Sequence, residues 1–227
     1  MLGHEFAATA LHSAAAGWRV GQRVTGNPLI TCGRCEFCGQ GRDNLCAQRT
    51  MVGMQRPGAF AQRMSIPGGC LIALPDSLGT LAAALTEPAA TALHAVNLSI
   101  KALVRTLPEC RVLVLGGGAI GMLAALLLRH YGVDRLDLAE VHAGRRASVA
   151  QHARCATFDP RHSSAQDNAF DYVIDAVGST ITRSRRHHAR RARHGLELQG
   201  RGAAEGVASG SLQGTGNAPH AAPVLHE

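Results

Sequence analysis

Four cysteines carry the strongest chemical signal in this chain. Cys32, Cys35, Cys38 and Cys46 stand in the order C-x2-C-x2-C-x7-C. Four thiolates at such spacing can close tetrahedrally around Zn²⁺ and leave no position for a substrate, which makes a structural site. Glycines at 33, 39 and 41 let the loop turn its sulfurs inward. Reduced cysteines without a ligand and an iron–sulfur cluster are the competing readings.

A second signal is the run Gly116-Gly117-Gly118-Ala119-Ile120-Gly121, directly after the apolar stretch Arg111–Leu115 and before an apolar helical stretch. Strand, glycine turn and helix in that order make a dinucleotide-binding turn. Gly116 permits the turn, Gly118 lets the backbone approach a pyrophosphate, and Gly121 permits close packing of helix on strand. The phosphates belong at the helix N-terminus, over Ala119 and Ile120. Glu140 follows at the end of the next strand, where a carboxylate accepts hydrogen bonds from the adenosine ribose and repels a 2′-phosphate. That favours NAD over NADP, although Arg145 and Arg146 pull the other way. The competing reading is an ordinary strand-to-helix turn with a solvated Glu140.

His4, Glu5 and Glu87 are weaker candidates. Imidazole and carboxylate both bind Zn²⁺, and a site with three protein ligands keeps a place for water or an alcohol oxygen. A histidine at position 4 is also what a solvated terminus looks like, and Glu87 before Pro88 also reads as a helix cap.

The elements that must position these residues divide the chain into three. Residues 1–88 read as a small, mostly β domain broken by Gly and Pro. A turn runs into a strand over Trp18–Val24, and further strands are expected over Ala59–Ile66 and Leu71–Leu74. Leu81–Asn97 has apolar residues at helical spacing, with Pro88 expected to interrupt it. Residues 89–180 alternate strand and helix: strands at Arg111–Leu115, Leu136–Val141 and Phe170–Ala176, helices at Ala119–His130 and Arg145–His152. That alternation predicts a parallel α/β sheet. Residues 181–227 form a basic, low-complexity tail. From Thr182 onward there is no aromatic residue and few large aliphatics. Burial there cannot offset ordering entropy, so Gly200–Glu227 is expected to be disordered, with a short exposed helix over Arg183–His194.

The net charge of +7 within 227 residues invites a nucleic-acid reading. Residues 180–227 alone hold seven Arg against three acidic residues, so the excess is largely a terminal feature and no nucleic-acid partner is expected. No signal peptide is visible, and glycines interrupt the most apolar stretch, so no membrane partner is expected either. Seven cysteines, four of them clustered, suit a reducing compartment, and the cytoplasm is the expected location.

From Gly3 to about Gly178 the chain resembles the zinc-dependent medium-chain alcohol and polyol dehydrogenase family. Gly3-His4-Glu5 matches its GHE motif. Gly21-Gln22-Arg23-Val24 is similar to its G-D-R-V element. Pro28-Leu29, the four cysteines, Gly41 and Asn44 match its structural-zinc lobe, and Glu87-Pro88 with Ala92-Leu93-His94-Ala95 matches the helix at its domain junction. The resemblance implies an α/β chain: a GroES-like β domain with a structural-zinc lobe, then part of a Rossmann domain. It implies a catalytic zinc near His4, Glu5 and Glu87, with Glu87 pointing to the sorbitol, butanediol and threonine dehydrogenase branch. The implied reaction passes hydride from a secondary alcohol or polyol to NAD.

Departures from the pattern limit that expectation. The family's first catalytic-zinc ligand is a cysteine upstream of Gly3, which this chain lacks, and the resemblance ends after Gly178. The expectation is a chain shortened at both ends, for which activity and the family's homo-oligomeric state are in doubt. A zinc-binding or NAD-binding remnant without catalysis is the alternative.

Overall fold

In a computed structural model, the structure describes residues 2–12, 17–163, 169–179 and 182, together with the backbone of residues 196–197. Two compact units emerge, one covering Met1–Glu87 and a second running from Pro88 onward. The expected helix over Arg183–His194 and the expected disorder of Gly200–Glu227 lie outside the described residues.

The first unit is built from short antiparallel pairs. Strand β1 (Ala8–Thr9) pairs with β2 (Arg23–Gly26), which pairs on its other side with β5 (Leu71–Ala73). Strand β3 (Leu29–Ile30) pairs with β4 (Thr50–Met51) in a separate two-stranded ribbon. The cysteine loop is the excursion between these last two strands. Strand β2 is nearly all buried, with Val24 against the core and the Thr25 hydroxyl donating to the Phe6 carbonyl at 2.7 Å. Trp18 is half-buried and its indole N–H donates to the Gly68 carbonyl at 3.1 Å, which ties the entry to β2 to the entry to β5.

Two expectations for this unit and for the start of the next are corrected. Residues 59–66 form no strand: the chain bends, Ala59 and Phe60 donate to the carbonyls of Gly3 and Leu2, and Ala61 closes a tight local bond onto Ala59. Pro88 does not interrupt a helix either. The break lies earlier, between α2 (Thr80–Ala83) and α3 (Thr86–Ile100). Pro88 sits in the first turn of α3, where backbone N–H groups have no intrahelical partner and a missing one costs nothing. The Thr86 hydroxyl, donating to the Ala83 carbonyl at 2.7 Å, holds this junction.

The second unit is a parallel sheet of β6 (Arg111–Leu115), β7 (Arg135–Ala139), β8 (Ala156–Phe158), β9 (Tyr172–Asp175) and β10 (Leu196–Glu197), in the spatial order β10-β9-β6-β7-β8. Helix α4 (Ala119–His130) connects β6 to β7, and α5 (Ala143–Ala153) connects β7 to β8. A strand covered on both faces needs a continuous apolar run, and β6 supplies one. Its Val112 and Val114 enter a core with Ala92, Val96, Leu128, Leu138 and Tyr172, while Leu113 and Leu115 enter a smaller cluster with Ala139, Phe170 and Val173. Alternate residues thus serve opposite faces, as the period of a strand requires. Chain order reverses at β6, because β7 lies on one side and β9 on the other. Ligands of open α/β sheets bind at such a reversal, outside the carboxyl ends of the strands. Among the described residues no helix is long and apolar enough to cross a membrane.

Candidate metal and dinucleotide sites

The cysteine loop folds locally. Cys35 opens the one-turn helix α1 (Glu36–Gly39), which turns Cys38 back toward it, and a 3-10 turn at Asp43–Leu45 returns Cys46, whose N–H donates to the Asp43 carbonyl at 3.0 Å. All four thiols are reduced, and their sulfurs lie within 4.8 Å of one another. Cys32 Sγ is 3.9 Å and Cys35 Sγ 3.5 Å from Cys38 Sγ. Tetrahedral Zn–S bonds of about 2.3 Å place sulfurs about 3.8 Å apart, so the donor set and its spacing fit one zinc ion. Backbone N–H groups of Arg34 and Cys35 pull the Cys32 thiol down to about 6. Loss of solvent, reinforced by Cys35, pushes Cys38 up to about 12. Thiols this close cannot all ionise without a cation among them.

His4, Glu5 and Glu87 come from opposite ends of the first unit. Backbone bonds from Ala59 and Phe60 hold the segment before His4, and the start of α3 presents Glu87. One ligand atom from each of the three lies within 4.8 Å of the others, with His4 Nε2 3.9 Å from Glu87 Oε2. Burial raises the Glu87 pKa, His4 opposes that and Glu5 adds to it. His4 and Glu87 are half-buried and Glu5 is exposed, so the group opens to solvent on one side. One imidazole and two carboxylates suit Zn²⁺ with a coordination position left over.

The glycine turn sits at the carboxyl end of β6. Gly116 has φ +94°, and a side chain there would strike Val177 from the loop after β9. A Cβ on Gly121 would run into the Gly116 carbonyl oxygen, so α4 lies as close to the turn as glycine permits. No side chain caps α4 at Gly118, which leaves the N–H groups of its first turn pointing outward beside Ala119 and Ile120. Glu140, just past β7, is 6% exposed, and its two oxygens accept from the N–H groups of Gly117 and His142, each at 2.8 Å. Burial pushes its pKa up, but these N–H groups and Arg145 outweigh it, and the net shift is downward. Arg145 is exposed, with Nη1 3.9 Å from Glu140 Oε2. Turn, helix start, Glu140 and Arg145 are therefore brought together.

Sequence reasoning gave no site role to two further carboxylates beside them. Asp159, just past β8, accepts from Arg146 and Arg161. Asp175, at the end of β9, is 7% exposed and uses one oxygen for the N–H groups of Val177 and Gly178. In both, a carboxylate directly follows or ends an apolar strand, the same signal that marked Glu140.

A cysteine loop with metal-ligand spacing in a β unit thus precedes a parallel sheet with a glycine turn at its reversal point. Residues 1–76 match the family model of the alcohol dehydrogenase GroES-like domain. The chain is 37% identical over 147 residues to L-threonine 3-dehydrogenase of Chelativorans sp. (strain BNC1), covering 64% of this chain and 41% of that protein. It is 36% identical over 190 residues to L-threonine 3-dehydrogenase of Legionella pneumophila (strain Corby), covering 79% and 54%. Among solved structures it overlays a protein described as a zinc-binding dehydrogenase of Sinorhizobium meliloti 1021, bound to NADP, with TM-score 0.77 and 31% identity over 86% of this chain and 60% of that one. Galactitol-1-phosphate dehydrogenase from Escherichia coli shares the fold, with TM-score 0.74 at 24% identity over 86% and 58%. The chain is similar to zinc-dependent medium-chain dehydrogenases, and its residues 1–76 match their GroES-like domain. It spans about half the length of the curated relatives it matches.

Proposed function

We propose that this chain is the zinc- and dinucleotide-binding part of a dehydrogenase that oxidises a secondary alcohol or polyol. The observation that carries the proposal is the convergence of His4, Glu5 and Glu87 within 4.8 Å, in a chain that also holds a closed cysteine site and a glycine turn. Cys32, Cys35, Cys38 and Cys46 hold a structural zinc. His4, Glu5 and Glu87 hold a second zinc, some of them through water. Gly116, Gly118, Ala119, Ile120 and Gly121 receive the pyrophosphate, and Glu140 and Arg145 face the adenosine ribose. When bound, the second zinc supplies Lewis acidity toward an alcohol, and the dinucleotide accepts hydride.

The residues of this chain set the conditions for that chemistry. Half-burial of His4 and Glu87 confines the metal, while exposed Glu5 leaves the approach wet. The outward N–H groups at the start of α4 oppose the pyrophosphate charge. Glu140 stays ionised and excludes a 2′-phosphate, which favours NAD, although the Sinorhizobium meliloti neighbour was solved with NADP. L-Threonine, whose reacting carbon bears a secondary hydroxyl, heads the substrate panel because the matched relatives are named for it. The partner is thus a small molecule.

Zinc analysis and NAD reduction by a panel of threonine, butanediol and sorbitol test this reading. The expected result is about one chelator-resistant zinc per chain plus a second that His4→Ala removes, with reduction by at least one alcohol. A single zinc indifferent to His4→Ala, with no reduction by any alcohol, would sink the catalytic reading.

A further inference from the structure

Asp159 stands just past β8, outside every residue that the dinucleotide reading uses, yet it organises the strand end that carries Glu140. Its carboxylate takes a bidentate grip on Arg161, with Nε at 3.0 Å from Oδ1 and Nη2 at 2.7 Å from Oδ2. Oδ2 also accepts from Arg146 Nη1 at 3.2 Å, and Oδ1 from the Arg161 backbone N–H at 3.0 Å. The same two guanidinium groups reach one strand over. Arg146 Nη1 donates to the Glu140 carbonyl at 2.8 Å, and Arg161 Nη2 donates to the Val141 carbonyl at 3.1 Å. Asp159 is largely buried, and its partners hold its carboxyl far below the usual range, Arg161 first among them. Arg161 itself is mostly exposed.

The consequence concerns charge at the ribose end of the dinucleotide. Three arginines, 145, 146 and 161, lie around Glu140, and an arginine beside this carboxylate is what accommodates a 2′-phosphate in this kind of turn. Two of the three already donate to one carboxylate and to backbone carbonyls, Arg146 through Nη1 and Arg161 through Nε and Nη2.

We propose that Asp159 is a positioning and specificity-determining residue: by clamping Arg146 and Arg161 onto the backbone of Glu140 and Val141, it withholds both guanidinium groups from a 2′-phosphate and keeps the site selective for the unphosphorylated ribose. The inference rests on the dinucleotide reading of the glycine turn. Neutralising Asp159 releases two cations next to the ribose-reading carboxylate. A charge-assisted contact to phosphate then forms where none was available, and the preference moves toward the phosphorylated cofactor.

The test uses the full chain and two probes that lack the nicotinamide ring, ADP-ribose and 2′-phospho-ADP-ribose, titrated by calorimetry. Wild type is expected to favour ADP-ribose by about tenfold or more, and Asp159→Asn to lower that ratio by about tenfold, through a gain for the 2′-phosphorylated probe. Asp159→Glu, which keeps the charge, is expected to retain the preference. Arg161→Gln supplies a second arm: because Arg161 is withheld in the wild type, its loss leaves the weak binding of the 2′-phosphorylated probe unchanged. An unchanged ratio in Asp159→Asn, or a fall in 2′-phospho-ADP-ribose binding in Arg161→Gln, overturns the clamp while the dinucleotide reading stands. Binding of neither probe by wild type overturns the dinucleotide reading and the clamp with it.

Discussion

The two metal-ligand groups of the first unit make opposite use of the chain. The cysteine site draws all its donors from one loop between β3 and β4, and short helical turns aim them. It needs little from the rest of the fold. The His4–Glu5–Glu87 group draws its donors from the two ends of the unit, and it exists only when the segment before His4, the bend at residues 59–61 and the start of α3 are all in place. A local site can help nucleate structure; a distributed site reports that folding is complete. Four soft thiols can close around an ion in the first, whereas the mixed, partly exposed donors of the second would leave a bound ion open to exchange.

The sharpest way to break this contrast is Cys46→Ser, which removes the one fully buried cysteine of the lobe. Structural zinc binding is folding free energy of about 10 kcal/mol or more in small metal domains, so the first unit should lose its metal and its cooperative thermal transition. A variant that keeps a sharp melt without zinc would show that the loop is not held by metal. Glu87→Gln should do the reverse. Alcohol-dependent NAD reduction should fall by about a hundredfold or more, while the melt and the chelator-resistant zinc stay put. Loss of both zincs in that variant would erase the distinction between the sites.

Smaller effects sharpen the picture in the second unit. Gly121→Ala forces a methyl against the Gly116 carbonyl and should cost about 1–3 kcal/mol in denaturant unfolding, together with ADP-ribose binding. Glu140→Gln should flatten the acid limb of the stability profile. The folded pKa of Glu140 lies below its ordinary value, so its contribution is fully present above that value and is lost as pH falls through the folded one. An unaltered acid limb in Glu140→Gln would show that the Gly117 and His142 bonds do not favour the charged form. Smallest of all, Arg42→Ala removes an exposed guanidinium 5.7 Å from the Phe37 ring, for about 0.5 kcal/mol by the same denaturant titration.

What was legible in the sequence follows the same division between local and distributed. The cysteine spacing and the glycine turn are short-range patterns whose chemistry survives without knowledge of the fold, and β6 announces itself because both faces are buried. His4, Glu5 and Glu87 carry no spacing rule that joins them, and only the resemblance to a known family set them side by side. The expected strand at Ala59–Ile66 failed because the chain bends there, with Ala59 and Phe60 bonded to Gly3 and Leu2 and Ala61 bonded back onto Ala59. The expected interruption at Pro88 failed because proline is harmless in a first helical turn. Asp159 went unseen because its partners, Arg146 and Arg161, come from a helix and a loop that only the sheet order brings together.

The placement of the aromatic residues has a spectroscopic consequence. Trp18, held on the Gly68 carbonyl, is the only tryptophan in the chain, and both tyrosines, Tyr131 and Tyr172, belong to the second unit. Native fluorescence is thereby divided by unit, with indole emission for the β-rich half and phenol absorbance for the sheet. Stripping zinc while watching both signals would time the collapse of one half against the other, without any added label.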